Sequence, residues 1–185
     1  MSVTVQEVDK IWREADCIWT DQQIERSIEA ISHKIEEDLA DKDPLVLVVM
    51  KGGMMFGARL AMCLRFPLEI DYIHVTRYGM ETSGSELNWK VLPQHSLEGR
   101  HVLLVDDILD EGQTLYKIIE SCRAQNVASI RCAVLVDKVH DRKYVADFKA
   151  DYTCLEVPDR YVFGYGMDYK GYLRNADGIY AVKGM

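Results

Sequence analysis

A chain of 185 residues defaults to one domain, and that length buries roughly 70% of the unfolded surface without covalent staples. A hydrophobic share of 48% with only four prolines and twelve glycines excludes the disordered and fibrous classes. A formal charge of −8 argues against a nucleic-acid binder, which needs a basic stripe to neutralise phosphates, and no apolar run reaches the ~20 residues that span a bilayer.

Between Thr20 and Ala40, Ile24, Ile28, Ile31, Ile35 and Leu39 recur at steps of four and three, which makes one apolar helical face. Thr20 and Gln23 have capping-box spacing and set the start of that helix, which is expected to pack on a sheet. Leu45 to Met50, LVLVVM, is continuously apolar, as a parallel strand buried on both faces should be. Lys51-Gly52-Gly53 then opens a second helical pattern through Cys63. Two glycines and a lysine at a strand-to-helix turn form a candidate anion site, although Gly-Gly at a turn is often structural alone.

Pro67 breaks the helix, and LEIDYIHV, 68–75, reads as a strand. Thr76 to Lys90 is polar and without a clear period. A loop of that length is uncommon in a compact domain unless it is a lid or disordered; a β-hairpin with a mobile tip is the other reading.

His101 to Leu115 reads HVLLVDDILDEGQTL: a short apolar strand, two adjacent carboxylates, a turn with two more and a glycine, then a Thr where a helix begins. Ligands of α/β proteins bind beyond the carboxyl ends of strands. Gly112 lets the backbone approach an anion, and the following helix offers N–H groups and a positive dipole end. Bare carboxylates repel phosphate. A sugar phosphate with Mg²⁺ resolves the conflict, because hydroxyls and metal give the acids something to bind.

Thr114 to Arg123 suits a helix, and SIRCAVLV, 129–136, another strand, with Asp137-Lys138 following it. A lysine just past a strand end is either a solvated charge or, at the edge that holds both turns, a site residue. Asp151 to Val157 is a further strand that Pro158 ends. DRYVFGYGMDYKGYLRN then carries Asp168 and Arg174 among aromatics that suit either the core or stacking on a planar ligand. Ile179 to Val182 reads as a last short strand. Helices alternating with apolar strands give an α/β fold with a mostly parallel central sheet flanked by helices. Neither G-x-G-x-x-G nor G-x-x-x-x-G-K-[ST] occurs.

Cys17, Cys63, Cys122, Cys132 and Cys154 are odd in number and lack C-x-x-C spacing, so they read as reduced, mostly buried thiols of a cytoplasmic protein. The start of the chain lacks a basic region followed by an apolar one, in keeping with that placement. His33, His74, His95, His101 and His140 are scattered and read as surface or strand histidines rather than metal ligands.

VLLVDDILDEGQTL resembles the phosphoribosyl-pyrophosphate signature of the type I phosphoribosyltransferases. MKGGMMF resembles the pyrophosphate loop of the hypoxanthine-guanine phosphoribosyltransferase family, LVDK its purine-contacting lysine, and VPDRYVFGYGMDYKGYLRN its C-terminal purine and metal segment. The likeness runs in order from about residue 45 to 182. It implies the type I phosphoribosyltransferase fold in a single domain, 1–185, with a core over about 40–140 and a small hood from about 1–20 and 150–185. It also implies transfer of the 5-phosphoribosyl group from phosphoribosyl pyrophosphate to hypoxanthine or guanine, giving IMP or GMP plus pyrophosphate.

By the same resemblance, Asp110, Glu111, Gly112, Gln113 and Thr114 hold the 5′-phosphate, and Asp106 and Asp107 accept from the ribose hydroxyls. Lys51, Gly52 and Arg174 hold pyrophosphate. Lys138, Tyr161, Val162 and Asp168 meet the purine, with Lys138 donating to the 6-oxo group. Asp110 exchanges a proton with purine N7, and Asp106, Asp107 and Asp168 serve Mg²⁺, the implied cofactor. A non-proline cis peptide at Met50-Lys51, a homodimer or homotetramer, and the absence of nucleic-acid and membrane partners complete the implication. Two departures stand out: many members have Glu-Asp where this chain has Asp106-Asp107, and Glu111 replaces a common Thr or Ser, so its side chain is expected to point outward. The alternative is an RNA-binding regulator on the same fold; the acidic balance, Lys138 and the aromatic region around Tyr161 count against it.

Overall fold

The computed structural model describes residues 3–77 and 87–185. Their elements run α1 (Val5–Glu14), β1 (Asp16–Trp19), α2 (Asp21–Leu39), β2 (Leu45–Met50), α3 (Met54–Cys63), β3 (Glu69–Arg77) and β4 (Leu87–Val91). β5 (His101–Leu109), α4 (Gln113–Arg123), β6 (Ser129–Lys138), β7 (Tyr152–Val157), β8 (Val162–Phe163) and β9 (Ile179–Ala181) follow.

Six strands form one sheet in the order β4-β3-β2-β5-β6-β7, parallel throughout except for β4, which pairs antiparallel with β3. The continuous apolar runs are explained by layers on both faces. Val46, Val48, Leu103, Val105, Ala133 and Leu135 point toward α2 and α3, joining Ile24, Ile28, Ile35, Phe56 and Leu60 in one buried cluster. Their neighbours Leu45, Leu47, Leu104, Cys132 and Val134 point to the other face, against Leu115, Ile118 and Ile119 of α4. Every member of the Ile24-to-Leu39 stripe is buried, and the Gln23 side chain accepts from the Thr20 N–H at 3.0 Å, so the capping residue and the apolar period of α2 are as the spacing dictates.

β1, β9 and β8 form a second, antiparallel sheet that joins the two ends of the chain. The Trp19 indole N–H donates to the Glu156 carbonyl at 2.8 Å, and the Tyr165 hydroxyl donates to Glu25 at 2.6 Å, fastening this sheet's neighbourhood to β7 and α2.

Several boundaries differ from expectation. β7 pairs with β6 in the large sheet and α2 lies in its main cluster, so the core takes in residues 21–39 and 152–157 rather than stopping at about 40 and 140. Hydrogen bonding to β7 carries β6 through Lys138, which makes that lysine the strand's last residue rather than one beyond it. α1 has no counterpart in the periodicity reading; Thr4 caps it by accepting from the Glu7 N–H at 3.2 Å. At the ends of Thr76 to Lys90, antiparallel pairing of Thr76 with Asn88, continued by Val75 with Trp89, agrees with the hairpin reading, and 78–86 of the expected lid lie outside the described residues. All five cysteines are free thiols; Cys122 and Cys132 are buried, whereas Cys17 is exposed, contrary to the expectation that most are buried.

Candidate active site

From β2 the chain crosses through α3 to β3 on one side, and from β5 it crosses through α4 to β6 on the other. The loops leaving the paired strands β2 and β5 therefore diverge, and a crevice opens at the carboxyl edge of the sheet where the direction of winding reverses. Two cavities occupy it. One, of about 250 Å³, is lined by Lys51 and Gly52 after β2, by Asp106, Asp107 and Asp110 at the end of β5, by Gly112 and Thr114, and by Asp168 and Arg174. The other, of about 290 Å³, is lined by Lys138, Tyr161, Val162 and Met167 with Asp107, Ile108, Asp110 and Asp168. Asp107, Ile108, Asp110 and Asp168 face both, so the cavities adjoin along β5 and the C-terminal segment. Of the residues expected from sequence, only Glu111 and Gln113 line neither cavity, and Glu111 is exposed, in keeping with an outward side chain.

The peptide bond between Met50 and Lys51 is cis. Gly52 next to it is a steric requirement: a Cβ there would lie 1.9 Å from Asp107 Oδ2. Only glycine lets the loop close on that carboxylate. Burial, and then the charge of Asp107, pushes Asp106 well above the ordinary carboxylate range. Burial likewise raises Asp107, while hydrogen bonding with Asp106 and the Arg174 charge pull the other way. Half-buried Asp106 and buried Asp107 set two carboxyl groups side by side, and a nearby cation would favour their ionised forms.

Asp110 lies at the head of the turn after β5 with both oxygens taken: Lys138 Nζ is 2.8 Å from Oδ2 and His140 Nε2 2.8 Å from Oδ1. Burial raises its pKa, but the hydrogen bonds from Lys138 and His140, with the Lys138 charge, outweigh that and hold it below the usual range. Lys143 braces the same turn, donating to the Leu109 carbonyl at 2.9 Å, the Asp110 carbonyl at 2.8 Å and the Asp137 carboxylate at 2.5 Å. Gly112 has φ +80°, and a Cβ there would meet Leu109 at 2.7 Å and Phe148 at 2.9 Å. The left-handed turn and the packing beneath it both call for glycine, and α4 starts at the next residue.

The Asp168 carboxylate pairs with Arg174 and accepts from the Gly171 N–H at 2.6 Å. Arg174 also donates to the Gly166 carbonyl, which ties the C-terminal segment into one turn. Tyr161, 41% exposed, stands edge-on to Tyr169 with centroids 5.5 Å apart, leaving ring surface open at the rim of the second cavity. Val162 is buried in β8.

Ile108, which faces both cavities, and His140, Lys143 and Met167 were not expected at the site from sequence. His140 lies two residues past the end of β6, where no strand period reaches it. Lys143 acts from outside any motif, and Met167 follows two glycines of the aromatic segment; neither carries a local signature. Among the described residues no cluster of three or more His, Cys, Asp or Glu side chains forms a ready cage for a metal. A hard cation such as Mg²⁺ uses one or two carboxylates and completes its shell with water and substrate phosphates. Asp106, Asp107 and Asp168 are oxygen donors of that kind.

Residues 15–170 match the phosphoribosyl transferase domain family. The hypoxanthine-guanine phosphoribosyltransferase of Streptococcus pneumoniae is 35% identical over 87% of this chain and 89% of its own length. The hypoxanthine-guanine phosphoribosyltransferase of Bacillus subtilis is 35% identical over 89% and 91%. Among solved structures, a hypoxanthine phosphoribosyltransferase from Staphylococcus aureus superposes with a TM-score of 0.83 at 33% identity, covering 91% of each chain. A mutant of the hypoxanthine phosphoribosyltransferase from Trypanosoma cruzi, complexed with the product IMP, gives a TM-score of 0.84 at 29% identity over 92% of each.

Proposed function

The chain belongs to the phosphoribosyltransferase family and, within it, to the hypoxanthine-guanine phosphoribosyltransferases, and we propose that it serves purine salvage by converting hypoxanthine or guanine to IMP or GMP with phosphoribosyl pyrophosphate as donor. One observation carries the proposal: two cavities meet along Asp107 and Asp110, one walled by the glycine loops and cations, the other by Tyr161, Val162 and Lys138. A phosphorylated sugar fits the first and a planar base the second, with the anomeric carbon at their junction.

In this reading the 5′-phosphate rests on the turn from Asp110 to Thr114, and the ribose hydroxyls face Asp106 and Asp107. Lys51, Gly52 and Arg174 take pyrophosphate. The purine stacks on Tyr161, its edge meets the Val162 backbone, and Lys138 donates to the 6-oxo oxygen. An adenine amino group would set donor against donor there, a costly arrangement. Displacement at the anomeric carbon builds positive charge on the sugar, which the carboxylates along β5 stabilise electrostatically. Asp110, ionised and at the junction, accepts the purine N7 proton as N9 attacks. Mg²⁺ is the cofactor of this proposal, with Asp106 and Asp107 as donors to one ion and Asp168 to a second; when bound it would supply positive charge to the departing pyrophosphate.

The partners are then the purine base and phosphoribosyl pyrophosphate, without nucleic acid or membrane. No helix among the described residues is long and apolar enough to cross a membrane, and five free thiols support a cytoplasmic setting. Self-association to a homodimer or homotetramer belongs to the same proposal. The test is direct: purified protein with Mg²⁺, phosphoribosyl pyrophosphate and each base, with IMP and GMP followed by chromatography. Formation of either nucleotide supports the proposal. No turnover of any oxopurine overturns it.

A further inference from the structure

Asp110 is gripped from two sides, and the two grips cannot serve the same purpose. Lys138 holds Oδ2 at 2.8 Å and His140 holds Oδ1 at 2.8 Å. Lys138 lines the cavity assigned to the base; His140 does not, and its side chain is only 2% exposed. The far nitrogen of His140 is committed as well: Nδ1 accepts from the Arg142 backbone N–H at 3.0 Å. A nitrogen that accepts there carries no proton, so the ring's proton sits on Nε2 and points at Asp110.

We propose that His140 is a positioning residue for the proton transfer, a buried neutral donor that keeps Asp110 oriented when Lys138 turns to the purine. The inference rests on the function proposed above. A base whose 6-oxo oxygen draws the Lys138 ammonium uncovers Oδ2, and that oxygen receives the proton. The N7–H bond breaks and the proton passes to Oδ2, while N9 bonds to the anomeric carbon. The bond from that carbon to the pyrophosphate oxygen breaks, and its electron pair leaves with pyrophosphate. His140 passes no proton in this scheme, because protonating Nδ1 would set it against the Arg142 N–H. It fixes Oδ1, so that the carboxylate cannot rotate away once its other partner has gone.

Three variants separate this role from mere packing. His140→Gln can return an amide N–H near the place of Nε2, His140→Asn puts its nitrogen near Nδ1, and His140→Ala removes the donor. Wild-type turnover of hypoxanthine is measured first, and its absence would fall on the proposed function. Given wild-type turnover, loss of one hydrogen bond to a charged group lowers kcat by about tenfold or more in the Ala and Asn variants. KM for phosphoribosyl pyrophosphate stays within about twofold, because that interaction acts on the transferring proton and not on uniform binding, and the Gln variant recovers most of the rate. Should the Ala variant fail to fold, the Gln and Asn pair decides alone. Equal impairment of Gln and Asn, loss confined to KM, or an unchanged kcat in Asn would each overturn the role of His140.

Discussion

Asp110 meets two cationic or donating side chains before any substrate arrives, and its depressed pKa keeps it ionised at neutral pH. A carboxylate in that state accepts a proton; an amide in its place cannot. Asp110→Asn is therefore expected to lower kcat by ~10²- to 10⁴-fold, the usual contribution of general acid–base catalysis, while nucleotide affinity, read by equilibrium titration with IMP, changes much less. Equal losses in both would point to a binding role instead. Gly52 gives a second test. Its missing Cβ would lie 1.9 Å from an Asp107 oxygen, so Gly52→Ala must displace either the loop or the acid. A drop in kcat/KM of at least about tenfold is expected with little change in melting temperature, since the clash falls at the site and not in the core. Asp106, Asp107, Asp110, Gly112 and Thr114 were legible because they are neighbours in one turn. His140 and Lys143 were not, because their partners are 30 and 33 residues away and only the pairing of β5 with β6 brings them together.

The strands and helices were read most accurately where one physical requirement dominated. The α2 stripe is a single buried face, and β2 is buried on both, so periodicity alone placed them. Boundaries slipped where hydrogen bonding rather than hydrophobicity decided them: β6 runs on to Lys138 because β7 continues to pair with it. The β3 edge offers a prediction of its own. Asp71 is buried and accepts from the backbone N–H groups of Tyr72 at 2.7 Å, Gln94 at 2.7 Å and His95 at 2.9 Å, and it also contacts the His95 ring. Burial raises its pKa, but these hydrogen bonds together lower it below the ordinary value. A depressed folded-state pKa stabilises the protein above the unfolded-state value of about 3.9. That stabilisation is lost as pH falls through the lower, folded value. Urea midpoints measured from neutral pH down to acid should fall in that window, and Asp71→Asn should be less stable at neutral pH with a shallower acid slope. An unchanged slope would show that Asp71 does not drive the acid transition.

At the level of the entire chain, four separate stretches, 50–53, 106–114, 135–138 and 157–175, meet at one edge of one sheet. Their meeting follows from topology. The reversal of winding between β2 and β5 places both glycine turns at the same crevice, and β6 brings Lys138 beside them. The small sheet of β1, β9 and β8 was only partly foreseen, because strands of two to four residues lack a period and depend on partners from the far end of the chain. In the proposed function this crevice joins a 6-oxopurine to a phosphoribosyl donor, with Lys138 reading the oxo group. Steady-state kcat/KM for hypoxanthine, guanine and adenine, each with Mg²⁺ and saturating phosphoribosyl pyrophosphate, tests it most directly. Turnover of hypoxanthine or guanine is expected, with a value for adenine lower by ~10⁴-fold, the order that follows when donors are left facing each other. Adenine used as well as hypoxanthine would contradict it.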